Sequence, residues 1–176
     1  HGDGVAFLID LFAAWRLGAC AVCLSPSLIQ AERDIVAAAV RPALWIGPPA
    51  GSEVTALAPA DPRAVPPPGA PWDDRASLDA PAVVMMTSGT TSRPKGVVHT
   101  HRSLQARLAL NIAHAGAPEL QSALTLLPMH FGHGLIGNSL TPLAAGATLT
   151  LLPNPDLATL CRIGALIDAR GIGFMS

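Results

Sequence analysis

The sequence predicts an α/β fold: a mostly parallel sheet with helices on both faces. Three observations carry this. Apolar runs of helical spacing alternate with short apolar runs of strand length, the pattern that βαβ units leave. Gly and Pro stand at the joints between those runs. Hydrophobic residues make up 50% of the 176 and charged residues 13%, so there is ample apolar surface for one buried core.

The elements follow in order. Leu8, Leu11, Phe12 and Trp15 fall on one face of a helix, and Gly18 follows at its C-terminal end. Ala19–Leu24 reads as a strand stopped by Ser25-Pro26. A second helix is expected from Gln30 to Val40 with Ile35, Val36 and Ala39 inward, then a short strand over Ala43–Ile46. Residues 1–46 thus form a first α/β portion. Residues 47–81 hold nine of the 17 prolines and read as a surface connection, with one short strand near Val54–Leu57. Residues 82–176 resume the alternation. Val83–Met86 is a buried strand, and a loop over Thr87–Gly96 leads to a returning strand at Val97-Val98. Thr100 is placed to cap a helix reaching Ala115, with Leu104, Leu108 and Ile112 on one face. Strand Ala123–Leu127, helix Gly134–Leu143, strand Thr148–Leu152, helix Leu157–Arg170 and strand Ile172–Met175 complete the series.

Composition excludes several classes. A formal net charge of −1 supplies no basic field for nucleic acid. Cys20 and Cys23 form a C-x-x-C, but on a strand positions three apart face opposite ways, so the pair reads as small core residues and not as a chelate. No Asp, Glu, Lys or Arg occurs between Glu119 and Asp156, yet Pro128, Pro142, Gly146 and Pro153 break that stretch, so no transmembrane span of about 20 residues is expected. The expected compartment is the cytoplasm. The chain begins at His1 and ends in a strand, and both ends read as cut from a longer protein.

The informative segment is Thr87–Gly96. A buried strand delivers the chain to a loop in which Thr87, Ser88, Thr90 and Thr91 carry hydroxyls. Gly89 and Gly96 let backbone N–H groups approach a bulky anion, and Lys95 adds a mobile positive charge. Lys95 is the single lysine among eleven basic residues. By composition the segment fits a phosphate cradle and a Ser/Thr/Gly surface turn alike. Residue order distinguishes them. The P-loop pattern would put Gly at Pro94 and Ser or Thr at Gly96, and does not match.

What stands there resembles the T-S-G-T-T-G-x-P-K-G signature of the adenylate-forming superfamily, with Ser92 in place of a glycine. Two further segments agree in order and spacing. Ala13–Pro26 resembles that family's helix-Gly-strand-Pro element, and Leu127–Leu135 (LPMHFGHGL) resembles its LP-x-x-aromatic-x-x-G motif. The resemblance implies an N-terminal core domain portion of an acyl- or aryl-CoA synthetase, with ATP, Mg²⁺ and coenzyme A as cofactors. A carboxylic acid attacks the α-phosphorus of ATP, giving an acyl-adenylate and pyrophosphate, and the thiol of coenzyme A or a carrier protein then takes the acyl group. It implies phosphate binding by Thr87, Ser88, Gly89, Thr90, Thr91, Lys95 and Gly96, with Lys95 catalytic and Thr87 a Mg²⁺ contact. It places Phe131 against the acyl pocket near Gly134 and Leu135, flanked by His130 and His133. The apolar run from Phe131 to Leu143 suits a fatty, aryl or other apolar acid.

The resemblance also marks what this chain lacks: the Y-G-x-T-E segment, the ribose-holding Asp and the C-terminal domain with its Lys. The alternative function is a non-catalytic nucleotide- or anion-binding protein. His130 and His133 fit either the pocket or ordinary loop and core positions, and the histidines show no H-E-x-x-H or clustered zinc pattern.

Overall fold

The computed structural model describes residues 4–48, 55–58, 61, 77–87 and 95–175. Helix α1 (Val5–Arg16) leads to strand β1 (Ala21–Cys23), helix α2 (Gln30–Val40) and strand β2 (Trp45–Ile46). Strand β3 (Ala56–Leu57) lies in the Pro-rich connection and pairs parallel with β2. Strands β4 (Pro81–Thr87) and β5 (Lys95–Thr100) flank the loop, and helix α3 (His101–Ala115) follows at once. A short α4 (Ala117–Leu120) and β6 (Ser122–Thr125) precede a π-helix over His133–Leu140. The π-helix runs on into α5 (Thr141–Ala144). Strand β7 (Thr148–Leu151), helices α6 (Leu157–Cys161) and α7 (Ile163–Arg170) and strand β8 (Phe174–Met175) end the chain.

The fold is α/β and rich in parallel pairs. The described strands form three sheets, ordered β1-β4-β5, β2-β3 and β7-β6-β8. Pairs β1–β4, β6–β7 and β6–β8 are parallel, as is β2–β3. The exception is β4–β5, which is antiparallel with Thr87 opposite Lys95. Loop length dictates this. Residues 88–94 are a short link for full-length strands of six and seven residues, and such a link favours a direct antiparallel return over a crossover.

The core is gathered from both portions of the chain. Leu8 and Leu11 of α1, Cys23 of β1, Val83 and Met85 of β4, and Leu104 of α3 are buried together. Met129, Leu135 and Leu140 close the same cluster from the π-helix side. The indole N–H of Trp15 donates to the Ala82 carbonyl at 2.8 Å, fixing α1 against β4. The element that carries the signature loop is therefore the best-anchored strand near the site.

Several elements differ from the sequence expectation. In α2 the inward residues are Val36 and Ala37, while Ile35 is 52% exposed and Ala39 is also exposed. The Ala-rich stretch offers two faces of similar polarity, and packing against Trp45 selects the one carrying Ala37. The helix expected over residues 157–170 is broken at Arg162 into α6 and α7, neither of which buries a residue, so no packing enforces continuity. Its N-terminus is capped by Asp156, whose carboxylate accepts from the Thr159 N–H at 2.8 Å and is held below the usual carboxylate range by Thr159. The helix expected over 134–143 is the π-helix with α5 appended.

Thr100 caps α3 as its sequence position predicts, its hydroxyl accepting from the Ser103 N–H at 3.1 Å. Thr100→Ala is expected to destabilise the protein by about 1 kcal/mol, read as a lower urea midpoint at unchanged slope. The two cysteines do lie in different environments: Cys20, just before β1, is exposed, and Cys23, at its end, is buried. Burial, with a smaller contribution from Cys20, pushes the Cys23 thiol up to about 12. Cys23 is expected to react with iodoacetamide at pH 8 about a hundredfold more slowly in the native protein than after denaturation, because the thiolate is the nucleophile. Mass spectrometry of the labelled peptide checks this, and equal rates would refute the burial.

Candidate active site

The hairpin β4–β5 places Thr87 and Lys95 directly across from each other where the loop leaves and rejoins the sheet. Both are exposed. The Thr87 hydroxyl donates to the Lys95 carbonyl oxygen at 3.3 Å. That donation uses the hydrogen and leaves the lone pairs of the oxygen free to face a cation. Gly96, next to Lys95, is registered opposite Met86. A Cβ there would come 2.5 Å from Val84 Cγ1, so glycine lets the returning strand lie flat on β4. Ser88, Gly89, Thr90 and Thr91, with Ser92, lie outside the described residues.

Thr87 is the last residue of β4, and Thr125 is the last of β6. Carboxyl ends of strands are where open α/β sheets bind ligands. Thr125 is 3% exposed, and its hydroxyl has no hydrogen-bond partner among the described residues. No motif pointed to Thr125. Its burial and the lack of a partner are structural facts that a lone Thr in an apolar strand does not announce.

The second motif is distributed differently from the expectation. Phe131 is 54% exposed and is not among the residues lining the cavity between α3 and the π-helix; its ring lies tilted against that of His130 at a centroid distance of 4.4 Å. Leu135 is fully buried in the core and is not among the residues lining that cavity. The reason is helical geometry. Once the chain enters the π-helix, Leu135 turns toward Met129 and Leu140, while His133 and Gly137 turn to the other side. Gly134 is buried, and a Cβ on it would collide with the backbone of Pro128.

A cavity of about 970 Å³ opens between α3 and the π-helix. One wall is a stripe of α3: Ser103, Arg107, Asn111 and His114, spaced so as to share a face. The facing wall is His133, Ile136, Gly137 and Thr141. The Asn111 amide donates to the Thr141 hydroxyl at 3.1 Å and ties the two walls together. The wider π-turn is held by side chains reaching five residues back. Ser139 Oγ donates to the Gly134 carbonyl at 2.8 Å, and Thr141 Oγ1 to that of Ile136 at 2.7 Å. π-Turns inside helices often mark functional sites. His99 of β5 and Phe174 of β8 complete the lining.

Of the expected pocket residues, then, His133 lines this cavity, Gly134 shapes the turn behind it, and His130, Phe131 and Leu135 are not among its lining residues. The α3 stripe was readable as polar residues at helical spacing beside Leu104 and Leu108, but nothing in the sequence said it faced a cavity. Among the described residues no group of three His, Cys, Asp or Glu is placed to hold a metal, and no helix is long and apolar enough to cross a membrane.

The described residues thus combine a parallel-rich α/β frame, the β4–β5 hairpin that carries Thr87 and Lys95 at its open end, and a cavity between α3 and the π-helix. The family model described as AMP-binding enzyme matches residues 2–176, and the chain belongs to that family. It is 39% identical to the mitochondrial malonate–CoA ligase of Xenopus laevis over 82 residues, 47% of this chain and 13% of that protein. It is 36% identical to the malonate–CoA ligase of Arabidopsis thaliana over 85 residues, 48% of this chain and 14% of that protein. Among solved structures, a malonyl-CoA ligase with methylmalonyl-CoA and AMP bound superposes with a TM-score of 0.72 at 30% identity, over 86% of this chain and 33% of the other. The o-succinylbenzoate CoA synthetase of Bacillus subtilis in complex with AMP shares the fold, with a TM-score of 0.75 at 20% identity over 97% of this chain and 45% of that one. The matched region spans well under half the length of these proteins.

Proposed function

We propose that the protein carrying this chain is an AMP-forming acid–thiol ligase: it activates a carboxylic acid with ATP as an acyl-adenylate and passes the acyl group to coenzyme A. The observation that carries the reading is the signature loop set on the β4–β5 hairpin, with Thr87 and Lys95 exposed side by side at its two ends. An ammonium and a hydroxyl so placed fit a polyphosphate and its Mg²⁺. Lys95 neutralises and orients the departing pyrophosphate, the remaining residues of Thr87–Gly96 hold its oxygens, and Thr87 would supply an oxygen ligand to Mg²⁺. Mg²⁺, when bound, supplies further charge neutralisation. Matches to proteins named as CoA ligases support coenzyme A as the acceptor.

The test is ATP–pyrophosphate exchange by the intact protein with a panel of carboxylic acids, followed by thioester formation with coenzyme A. Exchange that depends on both acid and Mg²⁺ is expected. ATP binding with no exchange for any acid would leave a nucleotide-binding protein and sink the ligase reading.

A further inference from the structure

The cavity between α3 and the π-helix has a charge balance that an apolar acyl chain does not need. Its lining carries one arginine, Arg107, and three histidines, His99, His114 and His133, with no Asp or Glu among the lining residues. Arg107 has no hydrogen-bond or ion-pair partner among the described residues. The other described arginine on α3, Arg102, is already committed: it donates to Asp79 at 2.7 and 3.0 Å through two nitrogens, in a pair exposed to solvent. On the same helix, one guanidinium is thus matched by a carboxylate of the chain and the other is left facing a cavity.

We propose that Arg107 is a specificity-determining residue that receives a second carboxylate of the acid, so that the cavity selects dicarboxylic over monocarboxylic acids. The proposal rests on the ligase reading and deepens it. A guanidinium presents a planar fork that matches a carboxylate through two parallel N–H···O bonds. The residues around it on the α3 face are donors as well. Ser103 and Asn111 stand one turn to either side of Arg107 on the same stripe, and the Asn111–Thr141 hydrogen bond holds that wall against the π-helix. A guanidinium that faces a cavity with no carboxylate of the chain among its lining favours a ligand that brings one. His99 connects this cavity to the chemistry. It lies on β5, four residues beyond Lys95, which is about 13 Å along an extended strand. The cavity thus shares strand β5 with the loop, and the proposal sets the reacting carboxylate on the loop side and the second carboxylate on the Arg107 side.

The experiment pairs two readouts on the intact protein and its Arg107→Gln and Arg107→Lys variants. The first is ATP-dependent thioester formation with a dicarboxylate and the monocarboxylate of equal carbon number: malonate against propionate, succinate against butyrate. The second is calorimetric binding of the same acids, and of inorganic phosphate, without ATP. The wild type is expected to favour a dicarboxylate in kcat/KM. Arg107→Gln is expected to reduce that preference at least tenfold through KM, with part of it restored in Arg107→Lys. A preference unchanged by Arg107→Gln, or a wild type that favours the monocarboxylate, overturns the proposal, as does calorimetric binding of phosphate with none of any dicarboxylate. If no acid is activated but dicarboxylate binding is measured and is lost in Arg107→Gln, the ligase reading fails and the assignment of Arg107 stands. Absence of both activity and binding rejects both.

Discussion

Lys95→Ala is expected to slow acid-dependent adenylation in the intact protein by roughly ten- to a hundredfold, since a charge-assisted hydrogen bond contributes about 1.5–3 kcal/mol and each 1.4 kcal/mol is about a factor of ten. Lys95 is exposed, begins β5 and sits across the hairpin from Thr87. Its backbone is held by that pairing and by the Thr87 hydroxyl, so truncating the side chain removes the charge and leaves the hairpin in place. Lys95→Arg is expected to recover part of the rate, because a forked guanidinium cannot occupy the position of a point charge without shifting. The acid preference is expected to stay constant in both variants, because the cavity residues belong to α3, the π-helix, His99 and Phe174, and not to Lys95. Pyrophosphate exchange with two acids, for wild type and both variants, reads this directly. A changed ratio between acids with an unchanged rate for the better one would put Lys95 on the acid side of the site.

The fold and the loop were legible in the sequence because each is encoded locally. Helix α2 has the expected bounds, Gln30–Val40, and Glu32 reaches back to the Ile29 N–H at 3.0 Å, a start signal written within four residues. Thr100 and the 3.6-residue spacing of Leu104, Leu108 and Ile112 encode α3 in the same way. Strand β4 is an apolar run with its buried residues Ala82, Val83 and Met85 fixed by contact with α1 and α3. What the sequence did not reveal is decided between elements. The π-turn is one such feature: Gly134–Leu143 has the composition of any apolar helix, and the widening depends on Ser139 and Thr141 bonding carbonyls five residues back. The direction of Phe131 is another, because it lies in the bend before the π-helix, where no helical or strand period fixes which way a side chain faces. The polarity of the cavity is a third. It comes from α3, some 20 residues before the LP-x-x-aromatic motif, and the apolar run Phe131–Leu143 carries no sign of it.

Gly134→Ala is expected to destabilise the protein by about 2–3 kcal/mol, the upper part of the range for forcing an atom into a filled core. Gly134 is buried at the start of the π-helix. A Cβ there would collide with the Pro128 carbonyl oxygen, and would come 2.8 Å from the Pro128 carbonyl carbon and 3.0 Å from the Leu127 carbonyl oxygen. These are backbone atoms of the segment that enters the turn, so no side-chain rotation relieves the contact. The carbonyl of Gly134 is itself held by Ser139 Oγ, and the next residue, Leu135, is locked in the core, so the helix cannot slide away either. The displacement must go into residues 127–133, which carry His133 to the cavity wall. Gly132→Ala is the matched control. No atom lies within 4 Å of a Cβ built there, and its φ of −57° and ψ of −36° are ordinary for alanine. That substitution is expected to leave stability within about 0.5 kcal/mol of the wild type. Urea unfolding of the two variants beside the wild type measures the contrast. Equal midpoints for Gly134→Ala and Gly132→Ala would mean that the close approach of the turn to Pro128 does not constrain the folded protein.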